Sequence, residues 1–413
     1  MTNPTQNTNI KTEIPPSAEI VFKGSLKGNL TDINICGFTK DPLYGKPDSD
    51  GLKTVNPYNS YILYTGRINC SNPKELTFSL PAVTIKAGFT GTSIELLLKD
   101  FATIRTDATI NHYQISIDDN APFDLIPEST ITNYPLAKNL SPGKHTIEIG
   151  KKSEGLMSGD AVMGKGAFMG FKIDGDAALY KIPALPNTME FIGDSVTCGY
   201  GNEISVENPD NYHFTTAKSN ALLSYGAITA KRLNARYSAV AISGRGLIRN
   251  NEGFDAPLIP EIYLSTIPED INDKEWDIKN YTPEVIVINL GTNDFSEGII
   301  ESESLDAFSK RFTDAYITFV DRLRSYYPNA AIVIALGPMM SDFYPEGYDA
   351  LTRAKKCVTD TADHFNKKGD NNVYKLFFDL QSGPYGEDWH PTVETHRQMS
   401  KTLIKFLKDI GIF

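Results

Sequence analysis

No apolar run in the 413-residue sequence approaches the roughly 20 residues needed to cross a bilayer, so a membrane-spanning helix is excluded and no membrane partner is expected. Basic charge is in deficit: 40 Lys and Arg stand against 51 Asp and Glu, a net charge of −11. A broad phosphate-binding surface needs the opposite balance, so nucleic acid is not an expected partner. Cysteine is scarce and scattered at Cys36, Cys70, Cys198 and Cys357, with no Cys-x-x-Cys pair and no Cys/His cluster at zinc spacing. Buried free thiols are the simplest reading. A Cys36–Cys70 bridge stays open for an exported chain, since both fall in one domain. No metal ion and no cofactor is expected. Residues 1–17 are polar, rich in Asn and Thr, and lack the apolar core of a secretory leader, so they read as a surface tail. Only 2 Trp accompany 20 Tyr and 21 Phe, a weak hint of β-structure or aromatic-lined clefts.

What is present divides into two textures, as the length allows for two or three domains. Over 18–182 the chain reads as short alternating runs broken by Gly, Pro and Asn, among them Glu75-Leu-Thr-Phe-Ser-Leu, His112-Tyr-Gln-Ile-Ser-Ile and His145-Thr-Ile-Glu-Ile. Period-two alternation buries one face of an antiparallel sheet, which predicts a β-sandwich of jelly-roll type. Pro183, Pro186 and Asn187 mark a junction. Over 188–413 strands alternate with helices: strands at 189–193, 237–243, 284–290, 330–336 and 374–380, helices at 221–234, 305–326, 349–367 and 393–408. That order predicts a three-layer α/β domain with a parallel sheet, whose ligands bind beyond the carboxyl ends of the strands.

Polar blocks stand at those ends: Gly193-Asp-Ser195, Ser243-Gly-Arg-Gly246, Gly291-Thr-Asn-Asp294 and, after the last strand, Asp388-Trp-His-Pro391. Each block alone is an ordinary turn or helix cap. In this order, on one edge of one sheet, they bring a nucleophile, an oxyanion pocket and a base together.

The blocks resemble those of the SGNH, or GDSL-like, hydrolases. The fuller wording, Gly193-Asp-Ser-Val-Thr-Cys-Gly-Tyr-Gly-Asn-Glu203, Ser224-Tyr-Gly-Ala-Ile-Thr229 and Ser243-Gly-Arg-Gly-Leu247, is similar to carbohydrate esterase family 2, as is His145-Thr-Ile-Glu-Ile-Gly-Lys-Lys-Ser-Glu154 in the β-domain. The resemblance implies O-deacetylation of acetylated polysaccharide or oligosaccharide, such as xylan or glucomannan. Since polymeric xylan lies outside cells, it implies a secreted or cell-surface protein, with an intracellular role on oligosaccharides as the alternative.

A serine hydroxyl attacks an ester only when a base removes its proton. Ser195 is the expected nucleophile and His390 the base, with an acid limb near the free-imidazole pKa of about 6.5 unless its surroundings shift it. Asp388 is expected to orient the imidazole. It stands two residues before the histidine, where the commoner SGNH pattern has three, so a backbone carbonyl is the alternative. His213 is a minor rival base; His112, His145, His364 and His396 read as structural or surface residues. The resemblance implies an oxyanion hole made of the Ser195 and Gly244 amides and the Asn293 side chain. Asp294 reads as an anchor, Arg245 as a substrate contact or an ion-pair member, and Trp389 as a rim residue that stacks on sugar or packs in the core. Phe343 and Tyr344 lie in a segment that offers further aromatic contacts.

The rival readings are an SGNH esterase or lipase on another acyl ester, and an inactive esterase scaffold that binds carbohydrate. Gly-x-Ser-x-Gly, phosphate-loop and His-Glu-x-x-His motifs are all missing.

Overall fold

The structure, a computed structural model, describes residues 44–413 except Asp119, Leu156, Gly159, Asp160, Ile271 and Lys274. The expected tail at 1–17, the start of the β-domain at 18 and Cys36 lie outside the described residues.

The N-terminal part is two antiparallel sheets. One runs in the order Leu52–Val55, Gly166–Asp174, Ile94–Asp100, Asn133–Ala137, with Leu76–Phe78 also paired to Gly166–Asp174. The other runs Leu179–Tyr180, Thr84–Gly91, Gly143–Lys151, Tyr113–Ile117, Phe123–Leu125, with Ile62–Thr65 against Thr84–Gly91. Alternation works as expected: in Tyr113–Ile117 every second side chain is buried. Ile115, Ile147 and Ile149 of one sheet share a core with Leu96, Phe168 and Phe171 of the other.

The C-terminal part holds a five-stranded sheet in the order Ala235–Ala241, Asn187–Gly193, Val285–Asn289, Ala331–Leu336, Val373–Phe377. All its pairings are parallel. The Val/Ile run at 285–289 shows why this sheet needs two covers. Ile286 and Ile288 face a core shared with Phe308, Phe312 and Tyr316 of the helix Leu305–Tyr326 and with Val358 of the helix Ala350–Lys367. Val285 and Val287 face the other way, toward Tyr225 of the helix Tyr225–Arg232 and Leu403 of the helix Val393–Asp409. The helix expected over 221–234 starts late. Ala221–Leu223 is a 3-10 turn, and Ser224 then caps the helix through its Oγ, which accepts from the Ala227 amide at 3.4 Å.

A buried ion pair joins the two parts. Arg67 Nη2 lies 3.2 Å from Glu190 Oε1, and both side chains are almost wholly out of solvent. Glu190 also accepts from Tyr263 Oη at 2.6 Å, and the guanidinium packs over the Tyr263 ring at 4.8 Å. Cys70 is disulfide-bonded, which corrects the free-thiol reading there, while Cys198 and Cys357 are free and buried. Among the described residues no helix is long and apolar enough to cross a membrane.

Candidate active site

Register places the site. Gly193 stands opposite Ala241 on one side and Asn289 on the other, so three loops leave the sheet side by side. Ser195 follows the first of these strands. A Cβ on Gly193 would sit 2.1 Å from Thr197 Oγ1, so any larger residue there would force the buried Thr197 to move. Asp194 caps the short helix Ser195–Cys198, its Oδ1 accepting from the Val196 amide at 3.0 Å, and burial pushes its pKa up to about 7.

Ser195 Oγ lies 2.8 Å from His390 Nε2, and both residues are buried. Burial drives the imidazole pKa down to about 4, so the ring is a neutral base at ordinary pH. Its Nδ1 faces two backbone carbonyls, Glu387 O at 3.0 Å and Asp388 O at 3.1 Å. An Nδ1–H donated there leaves the Nε2 lone pair for the serine proton.

No hydrogen bond joins the Asp388 carboxylate to the imidazole, on which it acts only by its charge; the geometry is that of the alternative expectation, a backbone carbonyl at Nδ1. Asp388 and Trp389 both adopt left-handed backbone, at φ 46° and 63°, and the Asp388 side chain meets the loop that follows the nucleophile. Its Oδ2 accepts from Tyr200 Oη and, at 3.2 Å, from the Phe214 amide; its Oδ1 lies 2.9 Å from His213 Nδ1. Burial pulls the Asp388 pKa upward, but the Tyr200 and His213 hydrogen bonds outweigh it and hold the group below its ordinary value. His213, the rival base, is exposed and belongs to this carboxylate. The next residue back, Glu387, accepts from Thr215 N at 2.9 Å and Thr215 Oγ1 at 2.7 Å, stapling the base loop to the same segment.

Gly244 and Asn293, two of the expected oxyanion donors, sit on two loops tied together. Asn293 Nδ2 donates to Arg245 O at 2.8 Å, leaving its second N–H for another acceptor. Gly244 is at φ 76°, a left-handed conformation that suits glycine, and a Cβ there would meet Phe254 at 3.1 Å. Among the described residues the Ser195 and Gly244 amides have no protein acceptor. Asp294, wholly buried, accepts from the amides of Leu247, Ile248 and Arg249 at 2.7–3.1 Å and fixes this loop from below. Burial raises its pKa to about 6. Arg245 packs over the Phe254 ring at 5.1 Å.

Trp389 is 45% exposed and leans on Tyr385, with ring centroids 4.9 Å apart; core packing is therefore ruled out for it. Phe343 and Tyr344 are exposed too. Sequence reasoning missed Tyr200, which stacks on His390. Its only sequence signal is its place in Gly199-Tyr-Gly201, five residues after the nucleophile. His396 is buried and structural, its Nδ1 accepting from the Tyr225 amide at 3.1 Å. Among the described residues no group of three or more His, Cys, Asp or Glu side chains could hold a metal ion.

Comparison with known proteins gives matches to both parts of the chain. Residues 64–183 match the carbohydrate esterase 2 N-terminal family, and residues 189–403 match the GDSL-like lipase/acylhydrolase family. An acetylxylan esterase/glucomannan deacetylase of Cellvibrio japonicus is 33% identical over 82% of this chain and 87% of its own length. The cellulase/esterase CelE of Acetivibrio thermocellus is 33% identical over 87% of this chain, which spans only 41% of that longer protein. A family two carbohydrate esterase from Clostridium thermocellum, solved in complex with cellohexaose, superposes with a TM-score of 0.73 at 34% identity, covering 85% of this chain and 100% of its own. With both halves matched, and with relatives of this identity over most of its length, the chain belongs to carbohydrate esterase family 2, its C-terminal half being a GDSL-like acylhydrolase.

Proposed function

We propose that this protein is a serine esterase that removes O-acetyl groups from plant cell-wall polysaccharide, acetylated xylan or glucomannan, through an acetyl-enzyme. The observation that carries this reading is the 2.8 Å contact of Ser195 Oγ with a buried, neutral His390 whose other nitrogen is held by backbone carbonyls. His390 takes the serine proton as Oγ attacks the acetyl carbonyl. Negative charge develops on the former carbonyl oxygen, and the Ser195 and Gly244 amides with the free Asn293 N–H receive it. Collapse breaks the ester bond, and the imidazolium returns its proton to the departing sugar hydroxyl. Water, activated by the same imidazole, then releases acetate. The carbonyls of Glu387 and Asp388 stabilise the imidazolium in place of a third catalytic side chain. Exposed Trp389 supplies a stacking surface for a sugar ring.

The same reading takes 18–182 as a jelly-roll domain and 188–413 as the catalytic domain. In support of the jelly roll, Gly166–Asp174 lies between Leu52–Val55 and Ile94–Asp100, and Gly143–Lys151 between Thr84–Gly91 and Tyr113–Ile117. A polymeric substrate places the protein outside the cell.

The test is acetate release from acetylated xylan, acetylated glucomannan and a long-chain acyl ester, for the wild type and Ser195→Ala. Deacetylation of either polysaccharide that disappears in a folded Ser195→Ala supports the proposal. Preference for the long-chain ester, or activity that survives the substitution, overturns it.

A further inference from the structure

Behind the oxyanion loop lies a carboxylate from the other domain. The strand Gly143–Lys151 runs on into Lys152, Ser153 and Glu154, and all of 151–154 is buried despite its polarity. Lys151 Nζ folds back onto the chain, donating to Ser153 O at 2.7 Å and Glu154 O at 2.9 Å. The turn so fixed sends the Glu154 side chain into the catalytic domain. There it meets Ser243, the residue before Gly244. Oε2 accepts from the Ser243 amide at 2.6 Å and Oε1 from its hydroxyl. Oε2 also takes the Cys198 thiol at 3.5 Å, on the helix that begins with Ser195. One carboxylate therefore grips both segments that supply oxyanion amides.

A carboxylate 3% exposed is costly to bury for mere cohesion between domains, and a hydroxyl–amide pair or an apolar contact would serve that purpose more cheaply. What it provides is a two-pronged, charge-assisted hold on one residue. Ser243 gives both its donors to Glu154, and the following peptide carries the Gly244 N–H. Rotation of that peptide by a few tens of degrees would aim the N–H away from the oxyanion. Glycine has no Cβ to restrict that rotation, so the orientation must be held by its neighbours. Catalysis by preorganised dipoles depends on such a hold, since donors that must reorient during reaction lose most of their effect.

We propose that Glu154 is a positioning residue for deacetylation: the N-terminal domain lends the catalytic domain a carboxylate that aims the Gly244 amide at the transition-state oxyanion. The proposal rests on the esterase reading above. The β-domain is then part of the reaction apparatus and not a spacer.

The experiment is steady-state kinetics of the full chain on 4-nitrophenyl acetate and on acetylated xylan, for Glu154→Gln, Ser243→Ala, Ser243→Thr and Ser195→Ala, with circular dichroism to establish folding. A misaimed oxyanion donor should lower kcat on both substrates by about 10–100-fold and leave KM within about twofold, because the amide matters only once charge has developed. Ser243→Thr keeps the hydroxyl and should recover most of the kcat lost in Ser243→Ala. Glu154→Gln combined with Asn293→Ala should cost less than the product of the two single losses, since both act on one oxyanion. If Glu154→Gln does not fold, the alanine and threonine variants at Ser243 decide the matter. Wild-type kcat in folded Glu154→Gln or in Ser243→Ala, with Ser195→Ala inactive, overturns the positioning role and leaves the esterase reading intact. A rise in KM with unchanged kcat also overturns it. Activity in Ser195→Ala overturns both.

Discussion

The phenol ring of Tyr200 lies flat on the His390 imidazole, with ring centroids 4.0 Å apart and planes 22° from parallel. Its hydroxyl donates to Asp388 Oδ2, so the carboxylate meets the base through this ring and through its charge, with no hydrogen bond to the imidazole.

Asp388 should accordingly be a mild position. Losing a side chain that orients the base directly, as in a serine–histidine–aspartate triad, costs about 10⁴-fold in kcat by leaving the wrong tautomer. Asp388→Asn keeps the carbonyls that hold Nδ1, and what it weakens is the hold on Tyr200, His213 and Phe214 and the negative charge near the ring. We expect a loss of roughly 3–10-fold, the worth of one hydrogen bond. Tyr200→Ala, which strips the whole ring from the imidazole, should cost more than Asp388→Asn. Kinetics on one acetate ester ranks the two; a thousandfold loss at Asp388 would restore it to a triad.

The pH profile should be broad on the acid side. His390 acts as a base only when neutral, and burial sets its pKa at about 4. Falling pH protonates it and abolishes activity, but the limb should lie near pH 4 to 5 and not at the free-imidazole value near 6.5. Measuring kcat/KM from pH 3.5 to 8 in a buffer series, with a check for unfolding at each point, locates the limb.

Asn293→Ala should lower kcat by about 10²–10³-fold with little change in KM, the usual result of deleting one oxyanion donor. Gly244→Ala should behave similarly for a different reason. Its φ of 76° is strained for any side chain, and the new methyl would press on Phe254. If these two substitutions raise KM while sparing kcat, the pocket has been assigned to the wrong stage of the reaction.

Trp389 separates binding from chemistry. Stacked on a sugar, its ring would contact polysaccharide before and during reaction, so Trp389→Ala should raise KM on acetylated xylan and leave 4-nitrophenyl acetate almost unaffected. Equal damage to both substrates would mean that the ring merely braces the His390 loop against Tyr385.

Much of this was legible in the residues because it is local. The strand at 285–289 declares itself by Val and Ile on both faces, and Ser195, Asn293 and His390 stand in short blocks whose order along the chain becomes proximity once the sheet is parallel. The direction of the Asp388 side chain was not legible. It follows from two consecutive left-handed residues, neither of them glycine, and no residue type announces that conformation. Glu154 was hidden for another reason: its partner Ser243 is 89 positions away across a domain boundary, and a buried Lys-Lys-Ser-Glu run looks like solvated surface until both domains are in place. The helix expected at 221 failed on the cap, where Ser224 competes for the first turn with its own side chain.

The Arg67–Glu190 pair decides how cleanly this chain could be cut into two parts. A module that can be swapped between enzymes must leave neutral ground where it is cut. Severing the β-part here would strand a guanidinium on one fragment and a carboxylate in the first strand of the other, each fitted to a counter-charge it no longer has. A graft onto another GDSL-like domain that lacked an acid at that strand position would leave the Arg67 guanidinium buried without its counter-charge. The two halves are therefore coupled in stability, and melting should register them as one cooperative transition.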